Sequence, residues 1–269
     1  MTRKPDAISE RTVVYEVPGM DDVVVRRGME YRASDDSALT MDLYCPPDLD
    51  AEAPSPLVVF VFGYPDAVME AMIGCRLKDM ATYTSWGRLA AASGLAAITY
   101  ETRDPAVDIC ELLAYVRRNA SSLGIDRDRI GIWACSGNVP MALSVLMQET
   151  SESLRCAVLY NGFTLDYEGS SGVAEVAERV GFVNPCVGRS VDDLPADVPL
   201  FIVRSGQDDV PHLNEAMDHF LAAAVSCNLP TTLINHPDGP HGFDIFDDSE
   251  AAREIIRQTL AFMRFHLLQ

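Results

Sequence analysis

From residue 57 onward the chain alternates between short, unbroken apolar runs and longer stretches whose apolar positions recur every three or four residues. The runs cover 57–62 (LVVFVF), 95–100, 130–134, 156–160, 200–203 and 231–235. An apolar run without polar alternation is what a strand covered on both faces requires. The stretches 86–93, 106–120, 139–147, 213–227 and 250–267 carry helical spacing instead. Strand and helix alternating in this way predict an α/β fold, a mostly parallel central sheet with helices on both faces. Upstream, 12–17 and 23–31 are rich in β-branched residues and are separated by Pro18-Gly19, which predicts a hairpin. A third segment, 39–44, alternates apolar and polar until Pro46-Pro47 stops it, so the sheet is expected to begin with an antiparallel N-terminal edge.

A chain of 269 residues that is 48% hydrophobic can build one large core, and residues 1–269 read as a single domain. Two connections exceed ordinary loop length, 64–85 and 163–198, the second with a short helical pattern over 173–180. Inserts of this kind serve as lids or substrate walls. Forty acidic residues against 21 basic ones give a net charge of −19, spread along the sequence. Such a surface repels phosphate backbones and anionic lipid, so neither nucleic acid nor a membrane surface is an expected partner. The seven cysteines stand singly, mostly among apolar neighbours, with no Cys-x-x-Cys and no histidine at metal-ligand spacing. Buried thiols of that kind suit a reducing compartment. The first ten residues lack the apolar stretch of a secretory signal, and no apolar run is long enough to span a bilayer. A cytoplasmic protein is expected, with its oligomeric state open and a homodimer among the options.

Candidate chemistry concentrates where predicted strands end. The strand 130–134 runs straight into Cys135-Ser136-Gly137 and then a helical stretch, so Ser136 sits on a sharp strand-to-helix turn. A serine raised on such a turn is a candidate nucleophile, although serine also caps ordinary helices. After 200–203 comes Gly206-Gln207-Asp208-Asp209-Val210-Pro211, and after 231–235 comes His236 followed by Gly239-Pro240-His241-Gly242-Phe243-Asp244. Serine is a weak nucleophile at neutral pH. It needs a histidine to accept and return its proton, and a carboxylate to hold that histidine in the useful tautomer.

The frame Ala134-Cys135-Ser136-Gly137-Asn138, the Gly-Gln-Asp-Asp-Val-Pro turn and the Gly-Pro-His-Gly-Phe-Asp segment resemble the α/β-hydrolase superfamily, most closely its dienelactone-hydrolase-like and esterase branch. The usual nucleophile motif is Gly-x-Ser-x-Gly, and here both outer glycines are replaced, by Ala134 and Asn138. The resemblance implies Ser136 as nucleophile, His241 as base and Asp208 as the orienting acid. Asp209 is a rival for Asp208, His236 for His241, and Cys135 is a second nucleophile frame. It further implies an oxyanion hole from the backbone N–H groups of Gly137 and Tyr64, the latter following Phe62-Gly63 where relatives carry His-Gly.

Gly63, Cys135, Arg76 and Trp86 are candidates for contact with substrate: Arg76 or its neighbour Lys78 with a carboxylate, and Trp86 beside an acyl chain. The acidic group Asp244, Asp247, Asp248 and Glu250 reads as an answer to a helix dipole rather than a metal site. No metal and no organic cofactor is implied. The expected function is hydrolysis of a small-molecule carboxylic ester, lactone or thioester through an acyl-enzyme. Peptide or amide cleavage, and a non-hydrolytic role such as binding, cyclisation or acyl transfer, are the alternatives.

Overall fold

The computed structural model of the chain describes residues 7–32, 38–47, 54–148, 154–166 and 172–269. Arg3 and Lys4 of the N-terminal stretch, and 167–171 within the second insert, lie outside the described residues. Eight strands form one sheet: β1 (Val24–Arg32), β2 (Leu39–Cys45), β3 (Ser55–Phe60), β4 (Ala96–Tyr100), β5 (Ile125–Cys135), β6 (Cys156–Tyr160), β7 (Leu200–Ser205) and β8 (Thr231–His236). Their order across the sheet is β1-β2-β4-β3-β5-β6-β7-β8. The β1/β2 and β2/β4 pairs are antiparallel and all the others are parallel. The expected antiparallel edge is therefore present, and the runs 57–62, 95–100, 130–134, 156–160 and 200–203 are inner strands, whereas 231–235 is not covered on both faces: it forms β8 at the far edge, with Thr232, Leu233 and Asn235 exposed. Leu57, Val58 and Val59 of β3 and every residue of β6 are shut off from solvent.

Among the described residues, eight α-helices flank the sheet: α1 (Asp66–Ile73), α2 (Ala81–Ala92), α3 (Pro105–Leu123), α4 (Val139–Gln148), α5 (Val173–Val180), α6 (Leu213–Ser226), α7 (Phe243–Phe246) and α8 (Glu250–Leu267). The long helices carry the start and stop signals their sequence supplies. Asp104 caps α3 ahead of Pro105, with Gly124 closing it in a left-handed conformation, and Ser249 caps α8 by accepting from the Ala252 N–H at 3.2 Å.

Residues 12–17 do not form the expected strand, and the 12–17/23–31 hairpin does not exist. The Val13 N–H donates to Ser85 Oγ at 2.9 Å and the Val14 N–H to the Asp244 carbonyl at 2.8 Å, so the segment lies across α2 and α7. β-Branched residues favour extended backbone, but a strand also needs a partner edge, and β1 pairs with β2 instead. Among the described residues no helix is long and apolar enough to cross a membrane.

The order of connections decides where a site can lie. From β3 the chain first crosses to β4 on one side and then to β5 on the other, so the loops leaving the carboxyl ends of β3 and β5 diverge and open a crevice between them. Gly63-Tyr64 follows β3 and Ser136 follows β5.

The first insert is anchored at that rim through Asp66, at the start of α1. Its N–H donates to the Thr102 carbonyl at 2.8 Å and its Oδ2 accepts from the Thr102 N–H at 3.0 Å. Oδ1 is buried without a protein partner among the described residues. Burial raises the carboxyl, the Thr102 N–H and Arg76 oppose the shift, and Glu101 adds to it; the net effect pushes it up to about 7 from 3.8. The unfolded chain ionises this carboxyl near 3.8 while the folded chain still holds the proton. Stability is therefore lost as pH rises from about 4 to about 7, and not further above that. Asp66→Asn keeps the acceptor and removes the charge. In urea unfolding at pH 5 and pH 8, the variant is expected to lose less stability between the two than the native chain does. An equal loss in both proteins would contradict this assignment.

Candidate active site

β5 delivers Ser136 into the crevice with φ of 54°, a left-handed conformation that L-residues adopt only under constraint. The constraint is visible around it. A side chain at Gly137 would overlap the Tyr64 phenol and come within 2.8 Å of Phe182, and one at Gly162 would overlap Val139 and lie 2.9 Å from the Ser136 carbonyl. Position 138, where the motif has glycine, is not among the positive-φ residues, so nothing in the backbone demands glycine there. The small residue at 134 is fully buried between neighbouring strands.

Ser136 Oγ lies 2.9 Å from His241 Nε2, and His241 Nδ1 lies 2.7 Å from Asp208 Oδ2. The Asp208 side chain is 0% exposed and that of His241 27%. An ionised carboxylate only accepts, so Nδ1 carries the ring proton and Nε2 is left to accept from the serine hydroxyl. Asn161 Nδ2 approaches the same Nδ1 at 3.5 Å, but it too is a donor and does not compete with Asp208. Asp209 is exposed and takes no part.

The register of that turn is fixed from outside it. The Gly206 N–H donates to the His236 carbonyl at 2.8 Å and the Gln207 N–H to the Gly239 carbonyl at 2.9 Å. Gly206 sits so close to Pro237 that a Cβ would lie 2.8 Å from its Cα and nearer still to its carbonyl. The loops after β7 and β8 are thereby clamped together, and Asp208 is the residue presented to His241.

His236 is held elsewhere. It is buried, with Nε2 2.7 Å from Asp247 Oδ2, which also accepts from Ser249 Oγ at 2.9 Å. The sulfur of Cys135 lies 3.4 Å from the Tyr83 hydroxyl, and burial pushes its thiol up to about 12. A thiol so reluctant to ionise is a poor nucleophile, and the histidine is bonded to Ser136. The geometry therefore favours the serine frame.

A cavity of about 210 Å³ opens at Ser136 and His241. One wall comes from the first insert, through Met69, Met72, Ile73, Leu77, Met80 and Tyr83. Cys135, Tyr64 and Asn161 also line it, whereas Arg76 and Trp86 lie elsewhere. Arg76 is paired with Asp79 at 2.7 Å and with Glu101. Lys78 is buried against Asp79 at 2.8 Å and Asp42 at 3.4 Å. Trp86 is fully buried, packed on Trp133 at 5.3 Å between ring centroids, and its Nε1–H donates to Asp244 Oδ2 at 2.8 Å. Asp244 is thus a buried partner for an indole, and burial raises its carboxyl. Asp248 and Glu250 pair with Arg253 and Arg257. Among the described residues no cluster of His, Cys, Asp or Glu could hold a metal ion.

Asn161 and Tyr83 were missed by the sequence reading, as were the hydrogen bonds of Asn138. The available signal for the first was Asn161-Gly162 directly after a buried strand, at the same carboxyl rim as the other candidates. Gly63, a candidate for substrate contact, does not line the cavity, and its N–H donates to Asn138 Oδ1 at 2.7 Å. The second insert does not wall the cavity through its described residues. Its Phe182 ring packs on Tyr64 at 5.9 Å, and the Val183 N–H donates to the Gly63 carbonyl at 2.8 Å, so it braces the loop after β3.

No protein-family model and no curated protein matches this sequence. Among solved structures, the chain is similar to the thermophilic esterase Est2 of Thermogutta terrifontis, with a TM-score of 0.66 at 19% identity over 92% of this chain and 94% of that one. Est2 phosphorylated by paraoxon gives a TM-score of 0.63 at 20% identity over 93% and 94%. Esterase LipW of Mycobacterium marinum gives 0.69 at 16% identity over 92% and 83%. Likeness at such identity speaks to architecture, and with the sheet order above it establishes that this chain has the α/β-hydrolase fold.

Proposed function

We propose that the chain is a serine hydrolase of neutral carboxylic esters, acting through an acyl-enzyme. The observation that carries this reading is the continuous chain from Ser136 Oγ to His241 Nε2 at 2.9 Å and from His241 Nδ1 to Asp208 Oδ2 at 2.7 Å. As Oγ bonds to the ester carbonyl carbon, its proton passes to Nε2, and the carbonyl π electrons move onto oxygen. The Asp208 carboxylate holds the imidazolium that results. When the tetrahedral centre collapses, the C–O bond to the alcohol breaks and Nε2 returns the proton to the leaving oxygen. Water then repeats the sequence on the acyl-serine and releases the acid.

The oxyanion is assigned to the backbone N–H groups of Gly137 and Tyr64. Gly137 stands in the first turn after β5, where backbone donors have no intrahelical acceptor, and the Tyr64 N–H has no protein acceptor among the described residues. The esterases of similar shape support the ester class.

The cavity favours the esterase branch of the resemblance over the dienelactone-like one. Its wall is apolar and rich in methionine, which adapts to unbranched chains. Arg76 and Lys78, the cations that could have met a substrate carboxylate, are engaged by acids. Bringing a second anion here would cost its hydration without a partner, against a protein of charge −19. A nitrophenyl ester of a neutral acyl chain is therefore expected to exceed its ω-carboxylated analogue at least about tenfold in kcat/KM, roughly 1.4 kcal/mol. Comparable turnover of the charged ester would refute the neutral-substrate assignment. The hydrolase reading itself is tested with a fluorophosphonate probe. Modification mapped to Ser136 supports it, and an unlabelled native protein that leaves a panel of nitrophenyl esters intact rejects it.

A further inference from the structure

Asn138 replaces a motif glycine, yet both ends of its side-chain amide are hydrogen-bonded. It is 3% exposed. Its Oδ1 accepts from the Gly63 N–H at 2.7 Å and its Nδ2 donates to the Tyr83 hydroxyl at 2.9 Å. The orientation of the amide is decided by its partners. A backbone N–H can only donate, so the atom facing Gly63 is the oxygen, and the nitrogen must face Tyr83. The phenol oxygen accepts, and the same hydroxyl lies 3.4 Å from Cys135 Sγ. The result is a continuous chain of contacts from the loop after β3 to the residue preceding Ser136.

Two consequences bear on the assigned oxyanion donors. With its N–H occupied by Asn138, Gly63 cannot supply the oxyanion, and the plane of its peptide is fixed. The next N–H along the chain, that of Tyr64, is the one left for the substrate. The other donor, Gly137, is the covalent neighbour of Asn138. One side chain therefore ties together both halves of the oxyanion hole, which approach so closely that a Cβ on Gly63 would lie 2.8 Å from the Gly137 carbonyl oxygen. The Val183 N–H secures the far side of the same loop by donating to the Gly63 carbonyl at 2.8 Å. A glycine at 138 would leave the buried Gly63 N–H without this acceptor.

We propose that Asn138 is a positioning residue that sets the spacing between the Tyr64 and Gly137 N–H groups. The proposal rests on the serine-hydrolase reading above. Its test is made on the full chain with Asn138→Ala and Tyr83→Phe, each checked for native circular dichroism and melting behaviour. The substrates are a neutral nitrophenyl ester and its thiono analogue, in which sulfur replaces the carbonyl oxygen. Sulfur is larger and a weaker acceptor, so a well-spaced pair of donors favours the oxygen ester and a misplaced pair favours it less.

Asn138→Ala is expected to lower kcat on the oxygen ester on the order of 10²-fold, with KM within about threefold, and to shrink the oxygen-over-sulfur preference in step. Tyr83→Phe, which removes only the far anchor, is expected to move both readouts the same way by roughly fivefold. A folded Asn138→Ala with unchanged preference, whatever its absolute rate, overturns the positioning role and leaves the hydrolase reading intact. If that variant does not fold, Tyr83→Phe decides by the same criterion. A native protein inert to both the ester and the fluorophosphonate overturns the hydrolase reading and the positioning role together.

Discussion

Ser136→Ala is expected to abolish ester turnover, with kcat falling on the order of 10⁶-fold, because no other group in the crevice can form the acyl intermediate. Cys135 cannot substitute, since its thiol is pushed up to about 12 and His241 is directed at position 136. A companion variant separates chemistry from conformation. At φ of 54° an alanine keeps the backbone strain and a glycine relieves it. Ser136→Gly should therefore be about as inactive as Ser136→Ala, yet about 1 kcal/mol more stable by chemical denaturation. Retained turnover in either variant would remove the serine from its assigned role, and equal stability of the two would show that the elbow stores no strain.

Asp208→Asn is the second large expected effect. The substitution preserves shape but offers Nδ1 an amide in place of an acceptor-only carboxylate, so the imidazole can settle in the wrong tautomer and its cation loses a counter-charge. A fall in kcat of about 10⁴-fold is expected, with little change in KM. Asp209→Asn serves as the control, because that side chain is exposed and outside the chain of hydrogen bonds; its turnover should stay within about twofold. Steady-state kinetics on one neutral ester suffice to read both. A larger loss at 209 than at 208 would contradict the observed register of the turn.

Much of this architecture could be read from residue order because the signals are local. Runs such as LVVFVF at 57–62 have no polar position to turn toward water, and the helical periods between them leave few topologies open. The antiparallel edge was foreseeable as well, but its first arm was not. Residues 12–17 have the composition of a strand, and only the contacts to Ser85 and Asp244 show that helices receive them.

The site divides in the same way. Ser136 and His241 sit in recognisable segments, whereas the choice between Asp208 and Asp209 depends on Gly206 packing against Pro237, thirty-one positions away in sequence. Trp86 looked like a residue of an insert bordering substrate. Its partner Asp244 lies 158 positions downstream, and no local pattern announces an indole N–H that needs a buried acceptor. Asn138 read as a blemish in a motif, because a motif records which backbone shape is usual and not which hydrogen bonds a particular chain has built.

The clamp between the loops after β7 and β8 separates the two halves of the machinery. The loops that carry Asp208 and His241 are fixed to each other by Gly206, Gln207, Pro237 and Gly239. One wall of the cavity is built from α1 and the segment after it, on the opposite flank of the sheet's crossover point, and Ile245 and Phe246 of α7 line another side. Length and composition can therefore drift in that flank, retuning what enters the cavity, while the contact between Asp208 and His241 stays in register. Grafting a different 67–80 segment, which spares Tyr64 and Tyr83, is accordingly a route to new selectivity that leaves the acid–base pair untouched.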